Sequence, residues 1–151
     1  MKNTLLAVDP SSRATGWATY AGQELTACGL IRGHDTLDMI EAIRGDLPRG
    51  LPAIIELPKV YQQSRQKGDP NDLINVAAVA GACALVCTPP IRFVLPREWK
   101  GTTPKRIDNE RTARKLTPAE LQAVIDCECP PSLLDNVMDA VGLGLFQVGR
   151  R

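Results

Sequence analysis

At 151 residues, with 44% apolar and 23% charged side chains and a net charge of +1, the chain has the size and make-up of one ordinary globular domain, residues 1–151, able to bury a core. Those totals exclude a disordered or collagen-like protein. The longest nearly uncharged run, 73–91, is broken by Asn75 and by Pro89 and Pro90, so its apolar part falls short of the roughly 20 residues of a membrane span.

Residues 4–9 (TLLAVD) form an apolar run that drives straight into Asp9, and Pro10, Ser11 and Ser12 then break the chain. A returning strand over 15–20 turns at Ala21 and Gly22 into a third over 24–31, so the first thirty residues read as an antiparallel meander. From Asp35, Leu37, Met39, Ile40, Ile43 and Leu47 recur at helical spacing, with acids early where they suit the helix dipole. Ala53, Ile54 and Ile55 make a short buried strand that delivers Glu56, and Leu57 and Pro58 stop it. The segment 59–68 is polar, basic and irregular. Asp69 and Pro70 then cap and open an alanine-rich helix over 72–87, nearly apolar all round and expected to be buried on most sides. Residues 91–95 are a fifth strand and 104–116 a basic helix. Thr117, Pro118 and Glu120 form a capping box that starts a helix to about Cys127, and Ser132 is the expected cap of a last helix to about Val148.

Three antiparallel strands, then helix, strand, helix, strand and further helices give a mixed α/β sheet of five strands, the last two parallel, with helices on its faces. This is the order expected of the ribonuclease H-like fold. The apolar stretch before Asp9 is too short for a signal peptide, so a cytoplasmic protein is expected. The five cysteines then read as free thiols, and their spacing does not favour zinc.

Asp9 ends the first strand and Glu56 the fourth, which such a sheet can bring side by side. Asp135 and Asp139 lie four apart on one face of the last helix. Each alone has an ordinary reading as a turn cap, a strand-end ion pair or a helix-dipole partner. Together, four carboxylates would repel one another unless cations sat among them. Oxygen-only ligands favour magnesium or manganese, and a pair of such ions suits phosphodiester hydrolysis. Between Arg92 and Lys115 eight bases face three acids, the charge asymmetry of a nucleic-acid face.

On LLAVDPSSRATGWA, IIELPKVYQQSRQKGDPND and DNVMDAVGLGL the chain resembles the RuvC-type Holliday-junction resolvases, most of all the short versions carried by phages and prophages. The resemblance implies catalytic, metal-binding Asp9, Glu56 and Asp139. Its spacing on the last helix leaves Asp135 or Asn136 as the fourth ligand, and Asp135 is taken because a carboxylate holds a hard cation better than an amide. It further implies a homodimer that cuts opposed strands of four-way DNA junctions using two magnesium ions per site, manganese substituting, in a bacterial or phage-infected cytoplasm. Tyr61, Gln62, Arg65 and Lys67 would then meet bases near the crossover, and Arg13, Arg97, Lys100, Lys105 and Arg106 would hold phosphates. Trp99 reads as a core anchor.

Two competing readings are a broader fork- or flap-cutting nuclease and a non-catalytic nucleic-acid-binding module of the same fold. The hairpin around Asp9 and Gly16 also resembles that of actin-like ATPases and sugar kinases, but those close two such domains over a nucleotide, for which 151 residues do not suffice.

Overall fold

The computed structural model describes residues 2–62 and 68–151. Strands β1 (Thr4–Asp9), β2 (Ala14–Ala21) and β3 (Glu24–Arg32) form the expected meander, and β4 (Ala53–Glu56) and β5 (Ile91–Val94) add in parallel beside β1, giving the sheet order β3-β2-β1-β4-β5. Two long crossovers make this possible. Helix α1 (Thr36–Asp46) connects β3 to β4, and α2 (Pro70–Val86) connects β4 to β5. Asp35 caps α1 by accepting the Asp38 amide, and Asp69 caps α2 ahead of Pro70.

Strand alternation sorts the core. Leu6, Val8 and Ile55 point to one face, where Met39 and Ile43 of α1 and Val79, Ala80 and Cys83 of α2 cover them. Ala7 and Ile54 point to the other, with Val94, Trp99 and Leu143. This second face carries α6 (Leu134–Gln147), flanked by α3 (Pro96–Trp99), α4 (Lys105–Lys115) and α5 (Pro118–Asp126). The Thr117 capping box is formed as expected.

Two expectations are corrected. Helix α2 is not buried on most sides: only Val79, Ala80, Ala82 and Cys83 are buried, while Ile74 is 65% and Leu85 87% exposed. One stripe of the helix suffices to cover α1 and the sheet, and its alanines need no further cover. Ser132 does not cap α6. A short 3-10 turn at Pro131–Leu133 leads into that helix, whose N-cap is Leu133 with no side-chain bond. The helix Pro96–Trp99 was not anticipated. All five cysteines are free, and among the described residues no helix is long and apolar enough to cross a membrane.

Candidate active site

The period of two along a strand places Asp9 on the same face as Ala7, and Glu56 on the same face as Ile54, the face covered by α6. Val8 and Ile55 are partners in the parallel β1–β4 ladder, so Asp9 and Glu56, one residue further on each, end neighbouring strands at the same sheet edge. Asp139 joins them from α6, only 4% exposed.

The approach of α6 is set by small residues. Gly16 pairs with Asp9 across β1 and β2, and a Cβ there would stand 1.9 Å from the Asn136 carbonyl oxygen. The backbone of α6 therefore rests directly on β2 beside Asp9. Further along, Tyr20 donates its hydroxyl to the Val141 carbonyl (2.7 Å), and its ring fills the space left by Gly144. The turn after Asp9 is tied by buried Thr15, whose Oγ1 donates to the Ser11 carbonyl (2.9 Å) and accepts the Ser11 amide (3.1 Å).

Electrostatics tie the three carboxylates together. Burial, and then the negative charges of Glu56 and Asp139, push the Asp9 carboxyl well above its usual range, against the pull of Lys100 and Lys105. Burial also raises Glu56, opposed by Lys100 and by the Trp99 indole. The Trp99 Nε1–H donates to Glu56 Oε2 at 2.6 Å, and Lys100 Nζ lies 3.6 Å from the same oxygen. Lys105 Nζ lies 3.3 Å from Asp139 Oδ2, while the buried Asp139 Oδ1 has no hydrogen-bond partner among the described residues.

Asp135 takes another position. It is exposed, and its Oδ1 accepts from the Asn109 amide of α4 at 2.7 Å. The charges that act on Asp9 are those of Glu56, Asp139, Lys100 and Lys105. Asn136, the other residue considered for the fourth ligand, donates its amide to the Leu133 carbonyl. Among the described residues no group of three or more His, Cys, Asp or Glu side chains forms a ready-made metal cage.

Lys100 and Lys105, expected on phosphates, thus stand against the carboxylates themselves. Arg106 is exposed and pairs with Glu110 (3.0 Å). Arg13 lines a cleft of about 540 Å³ with Arg32 and His34. Tyr61 and Gln62 are exposed after β4, with Lys59 Nζ 5.7 Å from the Tyr61 ring centroid. Arg65 and Lys67 lie outside the described residues. Sequence reasoning missed the bond from Trp99 to Glu56. Its only signal was general: a buried indole N–H needs an acceptor, and the pattern placed the residue in the core without naming one. Arg151 was missed as well. Its guanidinium lies 4.7 Å from the Trp99 ring centroid and pairs with buried Asp108 of α4.

No protein-family model and no curated protein matches this sequence. Among solved structures the chain is similar to RuvC of Thermus thermophilus, at 16% identity over 95% of this chain and 92% of that one, with a TM-score of 0.55. It is also similar to T. thermophilus RuvC in complex with a Holliday junction substrate, at 13% identity over 95% of this chain and 91% of that one, with a TM-score of 0.50. The likeness is one of fold: the mixed five-stranded sheet with flanking helices is that of the ribonuclease H-like RuvC structures.

Proposed function

We propose that this protein is a structure-selective endodeoxyribonuclease that resolves four-way (Holliday) DNA junctions by metal-assisted phosphodiester hydrolysis, acting as one domain. The observation that carries the reading is the convergence of Asp9, Glu56 and Asp139, from β1, β4 and α6, on one sheet edge, where their charges oppose one another and two lysines stand in as counter-ions. A core carboxylate cluster of this kind weakens a protein that has no use for it. The likeness to a RuvC bound to a junction supports branched DNA as the substrate.

The residues fit a hard divalent cation. The donor set is all oxygen, Asp9 is held toward its protonated form by burial and by the charges of Glu56 and Asp139, and Asp139 Oδ1 is a buried acceptor with no hydrogen-bond donor among the described residues. Asp9, Glu56 and Asp139 would hold magnesium or manganese, with Asp135 the proposed fourth ligand once released from Asn109. Two such ions would activate the attacking water and stabilise the leaving oxygen. The chain's own residues do the rest. Trp99 fixes the Glu56 carboxylate by its 2.6 Å bond, and Lys100 and Lys105, now beside Glu56 and Asp139, would turn to the non-bridging oxygens of the scissile phosphate. Arg13 and Arg106 would hold flanking phosphates, and Tyr61, Gln62, Arg65 and Lys67 would meet the unpaired bases at the crossover.

Two opposed cuts require two active sites, which a two-fold homodimer supplies. The exposed stripe of α2 (Ile74, Ala77, Ala78, Gly81, Leu85) is the face on which a second copy would pack.

The test is cleavage of labelled synthetic DNA with magnesium, comparing a four-way junction with a fork, a flap and plain duplex, alongside Asp9→Asn. Symmetric nicks confined to the junction and absent in the variant are expected. Comparable cutting of forks and flaps would make the enzyme a broader branch nuclease, and no cutting of any substrate would leave a DNA-binding module.

A further inference from the structure

Helix α4 has two flanks of different electrical character. Asp108 and Thr112 face inward, buried against the rest of the molecule. On one side Lys105, Arg106, Asn109 and Ala113 share a cavity with Glu110 and Asp135, a mixed-charge lining in which Arg106 is already paired with Glu110. On the other a cavity of about 350 Å³ is lined by Arg111, Thr112, Arg114, Lys115, Leu145 and Arg151, with no carboxylate among them. Two acids of the same helix are taken, Asp108 by Arg151 and Glu110 by Arg106. Among the described residues Arg111 reaches only the Thr103 hydroxyl (3.4 Å), and the Arg114 and Lys115 side chains have no carboxylate partner.

Arg114 and Lys115 lie in the last turn of α4, where the helix dipole favours cations, but three cations without a carboxylate partner among the described residues still repel one another in a protein that has 17 acidic residues. The flank also joins the catalytic edge. Arg151, part of its wall, lies over the Trp99 ring whose indole holds Glu56, and α4 begins with Lys105, which touches Asp139. Arg111 to Lys115 follow Lys105 by six to ten residues, about 9–15 Å along the helix axis at 1.5 Å per residue. At a rise of 3.4 Å per base pair along the duplex axis, that is about three to four base pairs.

We infer that the Arg111–Arg114–Lys115 flank of α4 is a phosphate seat for the duplex arm, gripping the backbone about three to four base pairs from the cut. This rests on the nuclease reading above and extends it to a surface outside the carboxylate site. The grip is electrostatic and indifferent to sequence, and it fixes which way an arm leaves the catalytic edge.

The test is equilibrium binding to a four-way junction in EDTA across a salt series, using the full chain. The variant Arg111→Gln/Arg114→Gln/Lys115→Gln is expected to bind at least about tenfold more weakly near physiological salt, and its log K against log salt slope is expected to be shallower by about 2–3, near 0.9 for each lost phosphate contact. A charge-keeping variant, Arg111→Lys/Arg114→Lys, should retain the wild-type slope, which separates charge from any structural change. Junctions carrying neutral methylphosphonates about three to four base pairs from the cut position should weaken wild-type binding but leave the Gln variant unaffected. The same substitutions eight to ten base pairs out should affect neither differentially. A Gln variant with the wild-type slope, on a junction the wild type binds, overturns the inference and leaves the nuclease reading standing. Failure of the wild type to prefer branched DNA at all overturns the reading and the inference with it.

Discussion

Asp9 shows what the site costs the fold. Its carboxyl is raised well above the usual range by burial and then by Glu56 and Asp139. Between its unfolded and folded pKa values, folding therefore requires either uptake of a proton or an ionised group in an unfavourable place, and stability declines as pH rises through that window. Asp9→Asn removes the unfavourable charge while keeping the shape. The metal-free variant is expected to melt about 2–4 °C above wild type at pH 7, equivalent to roughly 1 kcal/mol in a chain of this size. The gap should close as pH is lowered until the wild-type carboxyl is protonated. Added magnesium should raise the wild-type melting temperature and leave that of the variant nearly unmoved. Calorimetry with and without magnesium measures all three, and a lower melting temperature for the variant would mean that Asp9 is satisfied by protein contacts alone.

At the scale of elements, a second carboxylate behaves in the opposite sense and belongs to architecture. Glu120, in the first turn of α5, is 3% exposed and accepts the amides of Leu25 in β3 (2.9 Å) and of its own cap residue Thr117 (2.8 Å), and both its oxygens bond Arg150. Burial would raise its pKa, but these donors outweigh it and hold the carboxyl down from 4.5 to about 2. A depressed folded pKa stabilises at pH above the unfolded value and is lost as pH falls through the folded one. The shift corresponds to up to about 3 kcal/mol. Urea denaturation should therefore show wild-type stability falling between about pH 4.5 and 2, and Glu120→Gln, weaker at pH 7, should be flatter across that range. The same element shows how legibility divides. The Thr117–Glu120 capping box is readable because both partners lie within four residues. The bonds from Leu25 and Arg150 to that glutamate cross 95 and 30 residues and leave no local trace. The strands were readable from alternation and turn residues, and Asp9 and Glu56 from their places at the ends of apolar runs. Trp99 on Glu56, Gly16 under Asn136 and the turning of Asp135 toward Asn109 arise only when α3, α4 and α6 pack on the sheet. Helix α2 misled for a different reason: alanine is indifferent to burial, so an alanine-rich helix carries no polar stripe to mark its solvent side.

At the scale of the whole molecule, that unmarked side becomes the main question. One face of the sheet is closed by α1 and α2 and the other by α6 with α3, α4 and α5, so the carboxylate edge and the basic flank of α4 lie with the second layer, and the bare stripe of α2 with the first. A second copy packed through α2 would leave both carboxylate edges free, and Gly81, with open space where its Cβ would stand, permits close approach of a partner backbone. Two-fold packing there would bring Leu85 and Ile74 of each copy into the contact, and a charge at Leu85 would then be buried without a partner. Leu85→Glu is therefore expected to convert a dimer at micromolar concentration into a monomer, as read by sedimentation equilibrium, without lowering the melting temperature of the fold by more than about 2 °C, since the residue is 87% exposed in the isolated chain. On a four-way junction the monomeric variant should still nick, because Asp9, Glu56 and Asp139 all come from one chain, but the two opposed cuts should become independent events. Singly cut junction should accumulate where the wild type passes directly to two nicked duplexes. A wild-type monomer at all concentrations, or a Leu85→Glu protein that remains dimeric with coupled cuts, would show that the two sites are brought together by another surface.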